Sequence, residues 1–247
     1  MTYTLRFDDI HRVLTFLPKD VLKLMRIEPL FLAGGFIRAR IANETVSDID
    51  LLADTKDKCG AVAANLAAQR AVSLYRTRNA YTIIAPNRVP VQIIHRWLFS
   101  DPQALLESFD FTIARAVVWF DRTNLVWKSA VDKDFYEDLA ARRLRYCFPD
   151  RNEDAGGSLL RVQKFLKKGY DISPEELGKV LARLVDKVKP DTGLWRMDER
   201  GKAKVFGGLL REVDPLTIID GLRPSDESME EGQVPDDEKI GAIDGVI

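Results

Sequence analysis

Asp48 and Asp50 stand one residue apart in the stretch Val-Ser-Asp-Ile-Asp-Leu-Leu-Ala, residues 46–53. On an extended strand, residues i and i+2 project from the same face with Cα atoms about 6.5–7 Å apart. A carboxylate pair so placed offers hard oxygen ligands to Mg²⁺ or Mn²⁺. Two such ions about 3.5–4 Å apart can bridge the attacking and leaving oxygens of a phosphoryl transfer. Ile49 and Leu51 would face the other way, into a core. Upstream, Gly34-Gly35 forms a turn without side chains, whose amides can point at a phosphate. Arg38 adds a bidentate cationic fork for phosphate oxygens. An isolated Asp-x-Asp is commonly a feature of solvated strands, and an isolated Gly-Gly a plain turn. The order glycine turn, arginine, carboxylate pair is what sets these residues apart.

The elements that must hold them can be read from periodicity. Residues 11–26 place Val13, Leu14, Leu17, Val21, Leu22 and Met25 at helical spacing, with Pro18 breaking or restarting the helix. Residues 29–33 form a short apolar run that reads as a buried strand entering the glycine turn, with a short helix over 36–42 and a second strand over 46–53. The alanine-rich segment 57–70 predicts a helix. Residues 73–85 and 89–97 are rich in β-branched and aromatic side chains and should pair across Pro86-Asn87-Arg88. Asp101-Pro102 opens another helix as cap and first-turn proline. Strands over 111–120 and 125–128 flank a hairpin turn at Asp121-Arg122-Thr123-Asn124. Helices then dominate, over 134–146, 158–168 and 174–188, the last opened by Ser173 as cap with Glu175 and Glu176 in its first turn. The fold class expected is α/β (α+β): a mixed-sheet head over 1–135, a small all-helical body over 136–222, and a disordered acidic tail over 223–247.

With these elements in place, the stretch Gly-Gly-Phe-Ile-Arg through Ser-Asp-Ile-Asp (34–50) resembles the head signature of poly(A) polymerases and CCA-adding enzymes, within the DNA polymerase β-like nucleotidyltransferases. Phe109-Asp110-Phe111-Thr112-Ile113 is similar to the family segment near the nucleotide sugar. Leu160-Arg161-Val162-Gln163-Lys164-Phe165 resembles the helix that opens its body. The resemblance implies a metal-dependent nucleotidyl head taking a nucleoside triphosphate as substrate and an RNA or tRNA 3′ end as acceptor, with pyrophosphate released. It implies Asp48 and Asp50 as metal ligands; where the family has a third acid, Asp110 could substitute as a catalytic residue, or the two carboxylates could work alone. Gly34, Gly35 and Arg38 would lie at the triphosphate, Asp110 and Thr112 near the ribose, and Arg161 toward the base or phosphates. The chain departs from the family pattern in three places: Ala39 follows Arg38, Ser108-Phe109 precede Asp110, and Gln92 stands where a third acid is expected. A neutral amide cannot act as a base. Two other readings share these residues: a nucleotide- or RNA-binding module that kept the fold without turnover, and a toxin-like transferase modifying tRNA, protein or a small molecule.

Elsewhere, Arg142, Arg143, Arg145 and Arg151, followed by Arg161, Lys164, Lys167 and Lys168, form a basic stretch. It could track a nucleic-acid backbone, or form a solvated helix face partnered by Glu137, Asp138, Glu153 and Asp154. Tyr75, Tyr81, Trp97 and Trp119 read as core or sheet residues, and His95 as a structural residue. Asp132, Asp134 and Asp138 suit helix capping and surface charge, and Cys59 a buried, inert thiol.

The formal net charge of −1 conceals an asymmetry. Residues 225–247 carry eight acids and one base, −7, which leaves +6 on residues 1–224. A mildly basic body suits polyanionic ligands. Two cysteines make no disulfide framework, and with two histidines they form no zinc-ligand cluster. No window approaches the roughly 18 apolar residues of a membrane span. The opening residues carry charges where a secretory leader would need an apolar run. A cytoplasmic location without a membrane partner is the expectation; the sequence is silent on oligomeric state.

Overall fold

The computed structural model describes residues 3–77, 79–148, 155–186, 188 and 192–211. The acidic tail and the members Arg151, Glu153 and Asp154 of the charged stretch lie outside them. The chain opens with α1 (Phe7–Phe16) and α2 (Lys19–Ile27), separated at Pro18, which occupies the cap position of α2. Strand β1 (Phe31–Ala33) runs into the glycine turn and α3 (Gly35–Ile41), and β2 (Ile49–Leu52) follows. Helix α4 (Lys56–Arg70) is capped by the Thr55 hydroxyl and ended by Ala71 in the left-handed region, φ 52°. Strands β3 (Leu74–Arg76), β4 (Ala80–Ile83) and β5 (Val91–Ile94) lead to α5 (Pro102–Glu107). Asp101 caps α5 as expected, accepting from the Ala104 amide at 2.8 Å. The hairpin β6 (Ala116–Asp121) and β7 (Val126–Val131) completes a seven-stranded sheet in the order β3-β4-β5-β2-β1-β6-β7. Within this sheet β2 and β5 pair parallel, and the other neighbouring pairs are antiparallel. The sheet is thus mixed, in agreement with the expected fold class.

Several boundaries differ from the sequence reading for local reasons. The strand expected over 46–53 begins only at Ile49, because the preceding loop is held back to α3 by the Glu44 amide bonding Ala39 O at 2.8 Å. The run 73–85 is two strands, since the Thr77 hydroxyl accepts the amides of Asn79 and Ala80 and folds a turn into it. Thr112–Ala114 is a 3₁₀ turn rather than the start of a strand. The helix expected over 134–146 is only α6 (Phe135–Ala140). Arg142 adopts φ 49°, and the chain leaves the helix to pair β8 (Arg143–Leu144) parallel with β9 (Asp171–Ile172). Helices α7 (Ala155–Lys167) and α8 (Pro174–Asp186) match the expected ones closely. Helix α9 (Glu199–Arg211) had no counterpart in the periodicity.

The two faces of the sheet differ. Side chains of Ile49, Leu51, Tyr81, Ile83, Val91 and Ile93 join the main core with α1–α4, and that core continues through Phe111 and Phe135 to Val162, Phe165 and Val180. The opposite face has a smaller cluster of Phe31, Ala33, Leu52, Val117 and Ala130 under Leu105 and Leu106 of α5. Alternation along the strands therefore turns Asp50, Gln92 and Thr82 to the α5 side of the sheet, beside this small cluster.

Candidate active site

In the antiparallel register of β1 and β2, Ala33 lies opposite Asp50. The next residues of β1 are the glycines, so the turn is delivered beside the start of β2, where Asp48 and Asp50 stand. Gly34 takes φ 71° and ψ −127°, a region open to glycine alone, and its amide donates to Ala116 O at 3.2 Å. A Cβ on Gly34 would come within 3.3 Å of the Phe109 ring, whereas one on Gly35 would meet nothing nearer than Arg38 Nη2 at 4.0 Å.

Both aspartates are half-buried. Ser47 Oγ donates to Asp48 Oδ1 at 2.8 Å, and Gln92 Nε2 approaches Asp48 Oδ2 at 3.5 Å. Because Gln92 lies directly across from Asp50 on the parallel strand β5, all three side chains share one face. Carboxylates and an amide are an oxygen-donor set, and Mg²⁺ is commonly held through one or two carboxylates plus substrate phosphates. The residues present fit such an ion. Among the described residues no group of three His, Cys, Asp or Glu side chains forms a fuller metal cage.

The remaining sequence candidates are placed as follows. Arg38 is 5% exposed; its guanidinium lies 4.8 Å over the Phe165 ring, with Nε 3.4 Å from Glu44 Oε2. Glu44 also accepts from the Tyr170 hydroxyl at 2.6 Å, and burial with that bond pushes the phenol well up. Arg142 closes this group, donating to Lys168 O at 2.8 Å and lying 5.5 Å over the Tyr170 ring. Asp110, 1% exposed, accepts from Ser158 Oγ at 2.8 Å and from Arg161 Nη1. Thr112 donates to Asp138 Oδ2 at 2.7 Å. Asp138 is fully buried rather than on the surface, and Arg143 Nε at 2.8 Å and Arg145 Nη2 at 3.2 Å both donate to its Oδ1. Arg143 and Arg145 thus converge on carboxylates, Glu137 and Asp134 being their further partners. Lys164 and Lys168 are half-buried and Lys167 is exposed.

Cys59 is buried on α4, as expected. His95 is buried against Tyr81, ring centroids 4.7 Å apart; burial and the charges of Lys56 and Arg76 lower its pKa. Tyr75, Tyr81 and Trp119 are sheet residues, as read, Tyr75 exposed on the edge strand β3. Sequence reasoning missed Ser47, Glu44 and Tyr170. Ser47 carried a signal, its adjacency to Asp48; Glu44 and Tyr170 meet across 126 positions and carried none.

A family model described as Gabija anti-defense 2 family protein matches residues 6–142. The chain belongs to that family. The match takes in the glycine turn, both aspartates, Gln92, Asp110 and Thr112, and stops before Arg143. A relative in the family, Gabija anti-defense 2 of Bacillus phage SPbetaL7, is 24% identical over 176 residues, 71% of this chain and 42% of the relative. The chain therefore spans less than half of that relative's length. Solved structures similar in fold include the Thermotoga maritima CCA-adding enzyme complexed with tRNA, with TM-score 0.51, 16% identity, and coverage of 89% of this chain and 54% of that one. A CCA-adding enzyme with CTP matches at TM-score 0.52 and 17% identity over 89% and 53%, and one with ATP at 0.51 and 17% over 90% and 53%. At such identities the likeness is one of fold, the nucleotidyltransferase fold. The resemblance carried by residues 34–50 thus holds, for CCA-adding enzymes, at the level of architecture. The family is the anti-defense one, a correction that a short motif shared across a fold could not supply. Among the described residues no helix is long and apolar enough to cross a membrane.

Proposed function

We propose that the chain is a nucleotidyltransferase that moves a nucleoside monophosphate from a nucleoside triphosphate to a hydroxyl acceptor, and that it acts in this way against Gabija defence. The observation that supports this reading is the β1–β2 register, which sets the glycine turn against Asp48 and Asp50. In the reaction, an acceptor oxygen attacks the α-phosphorus and the bond to pyrophosphate breaks. The turn amides orient the triphosphate, Arg38 sits at its edge, and Ser47 holds the Asp48 carboxylate in place. A Mg²⁺ or Mn²⁺ ion bound by Asp48 and Asp50 supplies neutralisation of phosphate charge. Catalysis is then mainly positioning and electrostatics. Asp110, Thr112 and Arg161 line the sugar side, and the lysines of α7 face the acceptor. In this reading the head takes residues 1–135 and a second part begins at 136, carrying α7, α8 and α9.

The CCA-adding enzymes solved with CTP, ATP and tRNA support a triphosphate substrate and an RNA 3′ end as acceptor. Family membership favours a second reading, in which the acceptor is a component of Gabija itself. Incubating the purified protein with Mg²⁺ and each α-labelled triphosphate, against total RNA and against an extract of Gabija-carrying cells, separates them. Label on RNA supports the first and label on an extract protein the second. Label on neither, with triphosphate bound, would leave the chain a binding module.

A further inference from the structure

Asp50, Gln92 and Thr82 stand directly across from one another on β2, β5 and β4. Gln92 therefore occupies the place from which a third acid would complete the carboxylate pair. It is 1% exposed, and its Nε2 lies 3.5 Å from Asp48 Oδ2, so it is part of the site's wall rather than a distant neighbour. Beyond it, Thr82 is 3% exposed, and its hydroxyl has no hydrogen-bond partner among the described residues, so the row ends in neutral polar groups. A carboxamide stays neutral, and its oxygen adds no charge to a cation site. The pair thus meets a divalent cation with two formal negative charges where a third carboxylate would give three. Affinity for hard cations follows the number of charged oxygen ligands, and Mg²⁺ gives up its waters reluctantly.

We infer that Gln92 sets how this site takes its metal: by holding it at two carboxylates, it makes cation capture depend on triphosphate oxygens, so that metal and triphosphate enter as one complex. The inference rests on Asp48 and Asp50 being the cation ligands.

The test uses calorimetric titration of the full chain with Mn²⁺ alone, with tripolyphosphate alone, and with tripolyphosphate preloaded with Mn²⁺. The wild type should bind Mn²⁺ alone weakly, and preloaded tripolyphosphate at least about tenfold more tightly than tripolyphosphate alone. Gln92→Glu, with Gln92→Asp as a smaller second choice, should bind Mn²⁺ alone on the order of tenfold more tightly than the wild type. Folded variants with wild-type Mn²⁺ affinity would overturn the inference. So would a wild type that holds Mn²⁺ tightly without tripolyphosphate, a comparison that needs no variant. Asp48→Asn distinguishes the two levels. If it binds preloaded tripolyphosphate as the wild type does, the assignment of the pair fails together with the inference. If it loses that binding while Gln92→Glu changes nothing, only the inference fails.

Discussion

Replacing Gly34 and Gly35 one at a time by alanine should separate what the glycine turn does for the fold from what it does for the site. Gly34 sits at φ 71° and ψ −127°, where a side chain costs about 1–3 kcal/mol. Its new Cβ would also lie 3.3 Å from the Phe109 ring, which must give by a few tenths of an ångström. For a chain of this size each kcal/mol shifts the melting temperature by about 2–4 °C, so Gly34→Ala should melt roughly 2–12 °C lower. Gly35 begins α3, and the nearest atom to its added Cβ is Arg38 Nη2 at 4.0 Å. Alanine there should be neutral or stabilising by up to about 1 kcal/mol. The same methyl group nevertheless occupies the space a phosphate would approach. Gly35→Ala should therefore keep its melting temperature or raise it by up to about 4 °C, and lose tripolyphosphate affinity, measured by calorimetric titration. A Gly34→Ala protein as stable as the wild type would refute the backbone argument. Unchanged tripolyphosphate binding by Gly35→Ala would refute the turn as a phosphate cradle.

Other consequences follow from the ionic groups around the site. Asp138→Asn removes the charge on which Arg143 and Arg145 converge. Breaking a buried pair costs about 3–5 kcal/mol. The arginine side chains keep 42% and 35% exposure and can be partly rehydrated, so about 3 kcal/mol is expected in urea unfolding. A loss under about 1 kcal/mol would contradict it. Asp20 is pushed up by burial but held lower on balance by the hydrogen bond and charge of Arg70, the Val21 amide and Arg88. A carboxylate depressed in the folded state stabilises above its unfolded pKa, near 4, and loses that contribution as pH falls through the folded value. Asp20→Asn should be less stable than the wild type at pH 7 and converge with it in acid; an equal gap at both would contradict this. Burial raises the Cys147 thiol to about 12, so its alkylation by iodoacetamide at pH 8 should be far slower in the native than in the urea-unfolded chain. Equal rates would count against it.

The residues that were legible in the sequence are those whose role is local. The turn at Gly34 and Gly35 and the placement of Asp48 and Asp50 beside it could be read because a turn and a strand alternation act over a few residues, and Asp101 and Ser173 because caps do. The equivalence of Gln92 was legible as a departure from a pattern, and the β2–β5 register places it beside Asp50. What could not be read depends on long-range pairing. Asp138 looked like a surface acid because its partners Thr112 and Arg145 are brought to it only by folding. Arg142, Arg143 and Arg145 looked like a helical basic face, but the left-handed residue at 142 ends the helix and sends them to separate partners. The Glu44–Tyr170 bond spans 126 positions, and no periodicity encodes it. Family membership also lay beyond the motif, because residues 34–50 carry features common to a whole fold.

The most direct test of the account follows α-labelled triphosphate in the presence of Mn²⁺ with wild type, Asp48→Asn and Asp50→Asn, each shown by circular dichroism to be folded. Pyrophosphate release coupled to labelling of an acceptor should occur with the wild type, depend on Mn²⁺, and fall by at least about 10²-fold in either variant. Labelling that persists undiminished in both variants, or that proceeds equally well in chelator, would contradict the assignment of the carboxylate pair.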